Sequence, residues 1–322
     1  MEKIVFLDRS TADRNGPGTR DVDFSALEGL GQVISHDITN PEDTATRIAD
    51  AEIVLTNKVV IGANEMDAAK NLKLIQVVAT GVNNVDLDAA RERNLAVCNV
   101  SGYSTEAVAQ HVFASLLNLE SNVYRFAAEP EKWAESPIFT RLDYPIGELA
   151  GKTLGIVGLG SIGKAVARIG LAFGMKAIAL AREGSKGQGG MPRLPRDEFF
   201  AVADVVTLHC PLTPENHHFI NAETLGQMKP SAILINTGRG DLVNEPALVE
   251  ALKNHTIRAA AVDVLTPEPP SADHPFLTAG LDNLFITPHT AWSSLEARQR
   301  LIDGVIENIK AFQSGEERNR VV

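Results

Sequence analysis

The sequence predicts an α/β protein built as two doubly wound domains, and three observations carry that expectation. Its 322 residues exceed one ordinary core and suit two, since domains run to about 100 to 200 residues. Short β-branched runs alternate with helix-compatible stretches, the signature of parallel sheets with crossover helices. The alternation then stops for a helix and a loose, Pro- and charge-rich segment, residues 129–145 around Trp133, and restarts beyond it.

In the first part, strands are expected at residues 4–7, 53–56, 74–79 and 96–100, and helices within 41–51 and 86–94. Next comes SGYSTEAVAQHVFASLLNL. Its Val108, Val112, Leu116 and Leu119, with Phe113 and Leu117 beside them, make one apolar stripe on a helix that Ser104 or Thr105 can cap. Residues 129–145 read as an irregular surface connection. From Leu154 six more strands are expected, at 154–157, 177–180, 205–208, 233–235, 259–262 and 284–286. The last segment, SSLEARQRLIDGVIENIKAFQSG, sets Leu301, Val305, Ile309 and Phe312 on one helical face between a serine cap and Gly315. We expect this helix to return to the first domain, so that residues 1–101 with 291–322 form one domain and 102–290 the other.

A hydrophobic fraction of 44% with 22% charged residues places the chain among globular proteins. The net charge is −11, and the 30 Lys and Arg form no run longer than a pair, so nucleic acid and anionic membranes are not expected partners. Only Cys98 and Cys210 occur, in no metal-type spacing, which argues against a disulfide framework and a Cys-ligated zinc site. The opening MEKIVFLDRS has too short an apolar run for a signal peptide, and no stretch approaches a membrane span, so the cytoplasm is the expected compartment.

The run from Leu154 to Arg168 fits a strand, a tight turn and a helix opening, with Gly158, Gly160 and Gly163 in a dinucleotide-binding spacing. Gly158 would make the turn, Gly160 would let backbone approach a pyrophosphate, and Gly163 would let helix and strand pack closely. The helix N-terminus would supply amides to the phosphates. This marks the second domain as a Rossmann cofactor domain. About 20 residues further on, an NAD site usually carries an acid for the ribose hydroxyls. Here that position is Ala181, followed by Arg182, with Lys186 nearby. A cation there suits a 2′-phosphate, so NADP(H) is favoured over NAD(H), although the acid Glu183 stands close by.

Ligands of open α/β sheets bind beyond the carboxyl ends of the strands. Three reactive side chains follow successive strands of the second sheet: Arg239 in INTGRGDLVNE, Glu268 in AVDVLTPEPP and His289 in FITPHTAW. Arg239 can make a two-point contact with a carboxylate. His289 can give and regain a proton near neutral pH. Glu268, if it touches the imidazole, would stabilise the imidazolium. Such a set suits carbonyl reduction by a hydride from the cofactor. Any one of the three has a duller use as a loop or turn residue; coincidence of all three is the less economical account. His217 and His218 lie in a polar loop with no acid or cysteine cluster beside them in sequence, and we expect them on the surface, with no metal bound.

The residues resemble the D-isomer-specific 2-hydroxyacid dehydrogenase family over nearly the whole chain. VATGVNNVDLDAA, GYSTEAVAQH, GKTLGIVGLGSIG, LHCPLTPEN, INTGRGDLVNEPAL, VDVLTPEPP and ITPHTAWSSLEAR stand in the family's order and spacing. Within it, TNKVV and PHTAW look like glycerate dehydrogenases, also called hydroxypyruvate reductases. The resemblance implies a flavodoxin-like substrate domain beside the Rossmann domain, and Arg239, Glu268 and His289 as the catalytic trio, His289 being the proton donor. For the cofactor it implies Thr105, Ser161, Ile162, His209, Cys210, Pro211, Thr237, Gly238, Arg239 and Asp263, the last facing the nicotinamide amide. For the substrate it implies amides around Thr80 and Gly81 and an approach by Asn57 or Lys58. It further implies a homodimer built through the cofactor domain. The chain departs from the family twice, at Ala181 and at Gly238, where alanine is usual.

Reduction of hydroxypyruvate or glyoxylate is therefore the leading expectation, with Trp292 either walling the pocket or merely packing. A lactate-type or phosphoglycerate-type dehydrogenase is the alternative within the family. The latter is disfavoured because no cation cluster lies near Gly81 and no regulatory domain is expected after Val322. A cofactor-sensing binding protein is the alternative from another class, and the acidic surface argues against it.

Overall fold

The computed structural model of the chain describes residues 1–13, 20–181 and 190–322. They form two compact units, Met1–Ser104 with Trp292–Val322, and Thr105–Ala291.

The first unit is a five-stranded parallel sheet of β1 (Lys3–Phe6), β2 (Gln32–Ser35), β3 (Ile53–Thr56), β4 (Leu74–Val77) and β5 (Ala96–Cys98). Its order, β2-β1-β3-β4-β5, is that of flavodoxin-like sheets. Successive residues of a strand point to opposite faces, and the apolar set divides accordingly. Ile4, Phe6, Ile53, Leu55 and Leu74 enter one core cluster, while Val5, Val54 and Ile75 enter the other. The helix Leu295–Ser314 covers the first cluster with Leu301, Ile302, Val305, Ile306 and Ile309. Its start is fixed by Ser294, whose side chain accepts the Ala297 amide, and its end by Gly315 at φ +78°.

Sequence reading passed over β2. The strand lies at the sheet edge, its end residues Gln32 and Ser35 are exposed, and none of its side chains is fully buried, so it lacks the apolar run that marked β1, β3 and β4.

The second unit is a seven-stranded parallel sheet of β6 (Thr153–Val157), β7 (Lys176–Leu180), β8 (Arg193–Leu194), β9 (Val205–Leu208), β10 (Ile233–Asn236), β11 (Ala259–Val262) and β12 (Leu284–Ile286). The order is β12-β11-β10-β9-β6-β7-β8. Counted from β6, this is the dinucleotide-binding order with one strand added at the β12 edge, and the strand order reverses between β6 and β9. The two-residue β8 was not foreseen; it is defined by pairing with β7 rather than by any apolar pattern. The helix Thr105–Ser121 packs Val108, Val112, Phe113 and Leu116 inward, but Leu117 of the expected stripe is exposed. No helix among the described residues is long and apolar enough to cross a membrane.

Candidate active site

The glycine turn has the geometry its sequence demands. Gly158 sits at φ +95°, and a Cβ there would lie 2.6 Å from the His209 carbonyl and 2.7 Å from the Cys210 nitrogen. A Cβ on Gly163 would lie 2.2 Å from the Gly158 oxygen, so only glycine lets the helix Ser161–Ala172 start so close to β6. Gly160 is the contrast: a Cβ there would meet nothing within 4 Å. The turn thus packs tightly on both sides and leaves open space at its middle, beside the free amides of a helix start at Ser161 and Ile162. On the neighbouring strand end, the Thr237 hydroxyl is buried and has no partner among the described residues. These features fit a bound dinucleotide, held by the residues around Gly158 to Gly163, by the His209–Cys210–Pro211 loop and by Thr237. His209 itself stays neutral, since burial lowers its pKa to about 4, and its Nε2 lies 2.9 Å from Thr207 Oγ1. At Gly238 a Cβ would meet the Leu242 side-chain end at 3.2 Å, so an alanine there would need that leucine to shift by a few tenths of an ångström.

Beyond β7, Ala181 donates its amide to Leu194 and carries no acid toward a ribose. Arg182, with Glu183 and Lys186, lies outside the described residues.

At the ends of β10, β11 and β12 the structure joins two of the three reactive residues. His289 Nδ1 lies 2.6 Å from Glu268 Oε2, and Glu268 Oε1 accepts the Leu265 amide at 3.0 Å. A carboxylate so held orients the imidazole. The His289 backbone is left-handed, at φ +52°, a conformation that costs an L-residue roughly 1–2 kcal/mol. It is maintained because the His289 amide donates to the Asp263 oxygen at 2.8 Å and to the Thr287 oxygen at 3.0 Å. Arg239 is exposed on the turn after β10. Its guanidinium donates to the Gly238 oxygen, and its own carbonyl accepts from Asn236.

Asp263, 2% exposed, turns out to be the brace of this loop. Its Oδ1 accepts from the Thr287 hydroxyl at 2.6 Å and the Thr290 amide at 2.9 Å, and its Oδ2 accepts the Ala291 amide at 2.9 Å. Oδ2 keeps one acceptor position, enough for a single further donor such as an amide. The Thr287 hydroxyl, having given its proton to Asp263, accepts from His111 Nε2 at 3.0 Å. Sequence reasoning did not find His111 or Thr287. Thr105 opens the same helix that carries His111.

The other residues expected at the substrate, Asn57, Lys58, Thr80, Gly81 and Trp292, lie in the first unit. Asp8, 4% exposed, accepts the amides of Asn57, Lys58 and Val59, and so shapes the loop after β3. Asn57 is buried there, while the Lys58 ammonium is exposed beside a cavity of about 570 Å³ that Ile38, Thr39 and Val59 also line. After β4, the Thr80 hydroxyl bonds the Val100 oxygen, whereas the amides of Thr80 and Gly81 donate to no acceptor among the described residues. Trp292 packs edge-to-face on Tyr103, with ring centroids 6.1 Å apart.

One expectation is corrected. His217 and His218 do have an acid beside them: the fold brings Asp241, 23 residues past His218, so that the three offer ligand atoms within 4.8 Å of one another. We assign no ion to this group. The two imidazoles lie with centroids 3.9 Å apart and planes tilted by 36°, and the Asn244 amide stands 3.4 Å from His218 Nδ1.

The doubly wound sheet, the glycine turn and the braced histidine–carboxylate pair define the chain as a dinucleotide-dependent oxidoreductase. Residues 114–291 match the family model for the D-isomer specific 2-hydroxyacid dehydrogenase, NAD binding domain. The chain is 39% identical over 323 residues to a glycerate dehydrogenase of Methylorubrum extorquens, covering 99% of each. It is 37% identical over 326 residues to a hydroxypyruvate reductase of Blautia hydrogenotrophica, again covering 99% of each. A solved structure of a Thermus thermophilus protein matches with a TM-score of 0.86 at 37% identity, over 99% of this chain and 100% of that one. The chain belongs to the D-isomer-specific 2-hydroxyacid dehydrogenases, enzymes that use a nicotinamide cofactor.

Proposed function

We propose that the enzyme reduces a short 2-keto acid, hydroxypyruvate or glyoxylate, to the D-2-hydroxy acid, with NADP(H) preferred. The observation that carries this reading is the 2.6 Å contact between His289 and Glu268 on a loop held in a left-handed turn. Arg239 supplies the cation that binds the substrate carboxylate in two points and polarises the carbonyl. His289, oriented by Glu268, delivers a proton to the carbonyl oxygen as that oxygen becomes negative. The nicotinamide cofactor supplies the hydride that ends on the carbonyl carbon. Glu268 then holds the neutral imidazole in place for reprotonation. In the first unit, the Thr80 and Gly81 amides are offered to a carboxylate, and Asn57, Lys58 and Trp292 to the rest of a small polar substrate.

The substrate choice follows the relatives, a glycerate dehydrogenase and a hydroxypyruvate reductase matched along their whole lengths. The cofactor preference follows Ala181, which cannot bond ribose hydroxyls, and the cation Arg182 after it. A homodimer is proposed through the second unit, where Tyr124, Trp133, Phe139 and Leu142 are exposed along one segment, Phe139 at 88%. The compartment is proposed to be the cytoplasm.

Cofactor oxidation should be followed with hydroxypyruvate, glyoxylate and pyruvate, each with NADH and NADPH. The reading expects fastest turnover with NADPH and one of the first two acids. No turnover with any pair contradicts the reading, a preference for pyruvate moves the chain to the lactate type, and a strong preference for NADH overturns the inference from Ala181.

A further inference from the structure

A second histidine–carboxylate pair, Glu245 and His274, touches the loop that carries Glu268. Glu245 opens the helix Glu245–Lys253, and its Oε1 accepts the Thr266 amide at 3.1 Å. Its Oε2 lies 2.9 Å from His274 Nε2. His274 Nδ1 accepts the Phe276 amide at 3.2 Å, which puts the ring N–H on Nε2, close to Glu245 but not aligned with it as a hydrogen bond. His274 is buried, 3% exposed, and Glu245 is half-buried at 12%. Burial lifts the Glu245 carboxyl above the usual range; the neighbouring Asp241 pushes it the same way, and His274 and the Thr266 amide oppose them.

The dipeptide Leu265–Thr266 is the junction. Its two successive amides go to two different carboxylates, Leu265 to Glu268 and Thr266 to Glu245. Gly240, the residue after Arg239, closes on the same dipeptide: a Cβ there would lie 2.4 Å from Thr266 Oγ1 and 2.5 Å from the Leu265 carbonyl. Displacement of this backbone would therefore shift Glu268 against His289 and the Arg239 turn together. We propose that Glu245 and His274 are positioning residues, which pin the Leu265–Thr266 backbone and so set how closely the Glu268 carboxylate sits on His289. The inference rests on His289 being the proton donor of the reduction.

The test compares pH–rate profiles of wild type, Glu245→Ala, Glu245→Gln and His274→Asn, with thermal melting and NADPH affinity measured beside them. Glu245→Ala is expected to lose roughly tenfold in kcat, below the hundredfold that an ångström of misplacement can cost. Its alkaline limb should move, because the carboxylate that faces the imidazole is displaced. Glu245→Gln keeps an oxygen for the Thr266 amide and should return kcat to within about threefold of wild type. His274→Asn can still cap Phe276 but gives up the ring N–H close to Glu245, and should show the same shift of the limb; it carries the test if Glu245→Ala does not fold. A folded Glu245→Ala or His274→Asn with wild-type kcat and an unmoved limb, changed only in melting temperature, would overturn the proposal. A His289→Ala enzyme that still reduces substrate sinks the reading of the donor itself, whatever the Glu245 variants do.

Discussion

Both units hold a functional loop by the same device, a buried aspartate at or beyond a strand end that accepts backbone amides from the next loop over. In the first unit Asp8 takes the amides of Asn57, Lys58 and Val59. In the second, Asp263 takes those of Thr290 and Ala291, with the Thr287 hydroxyl. What the loops then present is different. The loop held by Asp8 exposes Lys58, and after the neighbouring strand β4 the Thr80 and Gly81 amides donate to no acceptor among the described residues. The loop held by Asp263 strains one residue, His289, into a left-handed turn and gives it a carboxylate of its own. On the function proposed above, one physical means would serve recognition in one place and chemistry in the other, and the two should separate in kinetics.

The largest effect belongs to the donor. His289→Ala should lower kcat by about two to four orders of magnitude, the usual contribution of a positioned acid, while NADPH affinity measured by fluorescence stays near wild type. A smaller pair of effects sharpens the contrast. Asp263→Ala, which releases the His289 loop, should depress kcat by about tenfold or more, whereas Asp8→Ala should act mainly on KM. Each variant should also melt earlier, since a buried amide left without an acceptor costs about 1–3 kcal/mol. If Asp8→Ala lowers kcat and Asp263→Ala raises only KM, the division of labour is wrong. The smallest effect is one of pH. Burial holds the Asp8 carboxyl above its ordinary value of 3.8, so the folded state binds its proton more tightly than the unfolded chain does. Ionising it therefore opposes folding: the penalty is absent below the unfolded pKa and grows as pH rises through the raised one. The melting temperature of Asp8→Asn relative to wild type should climb over that window in thermal scans, and a constant difference would contradict the assignment.

Much of this was legible in the sequence, for reasons that also mark where legibility stops. Buried parallel strands such as Ile53–Thr56, apolar up to a closing threonine, announce themselves; the edge strands Gln32–Ser35 and Arg193–Leu194 are defined by their neighbours and do not. The terminal helix was readable because Leu301, Val305 and Ile309 recur on one face between Ser294 and Gly315. The glycine turn was readable because each glycine answers a steric demand along one short run. Strand-end logic pointed to Glu268 and His289, yet their contact spans 21 residues and had to be seen. The Glu245–His274 pair and the approach of Asp241 to His217 and His218 were hidden for the same reason: two loops of one sheet end converge, and no local pattern records it. Leu117 failed because a stripe read at helical spacing does not say how wide a neighbouring surface is.

The central claim is that Glu268 holds His289 for proton delivery, and Glu268→Gln tests it most directly, because glutamine keeps the size and an oxygen but lacks the charge. The kcat for reduction should be measured for both enzymes at saturating cofactor, with NADPH affinity beside it. The account predicts that kcat of the variant falls by about tenfold or more while NADPH affinity stays near wild type. An unchanged kcat would contradict it.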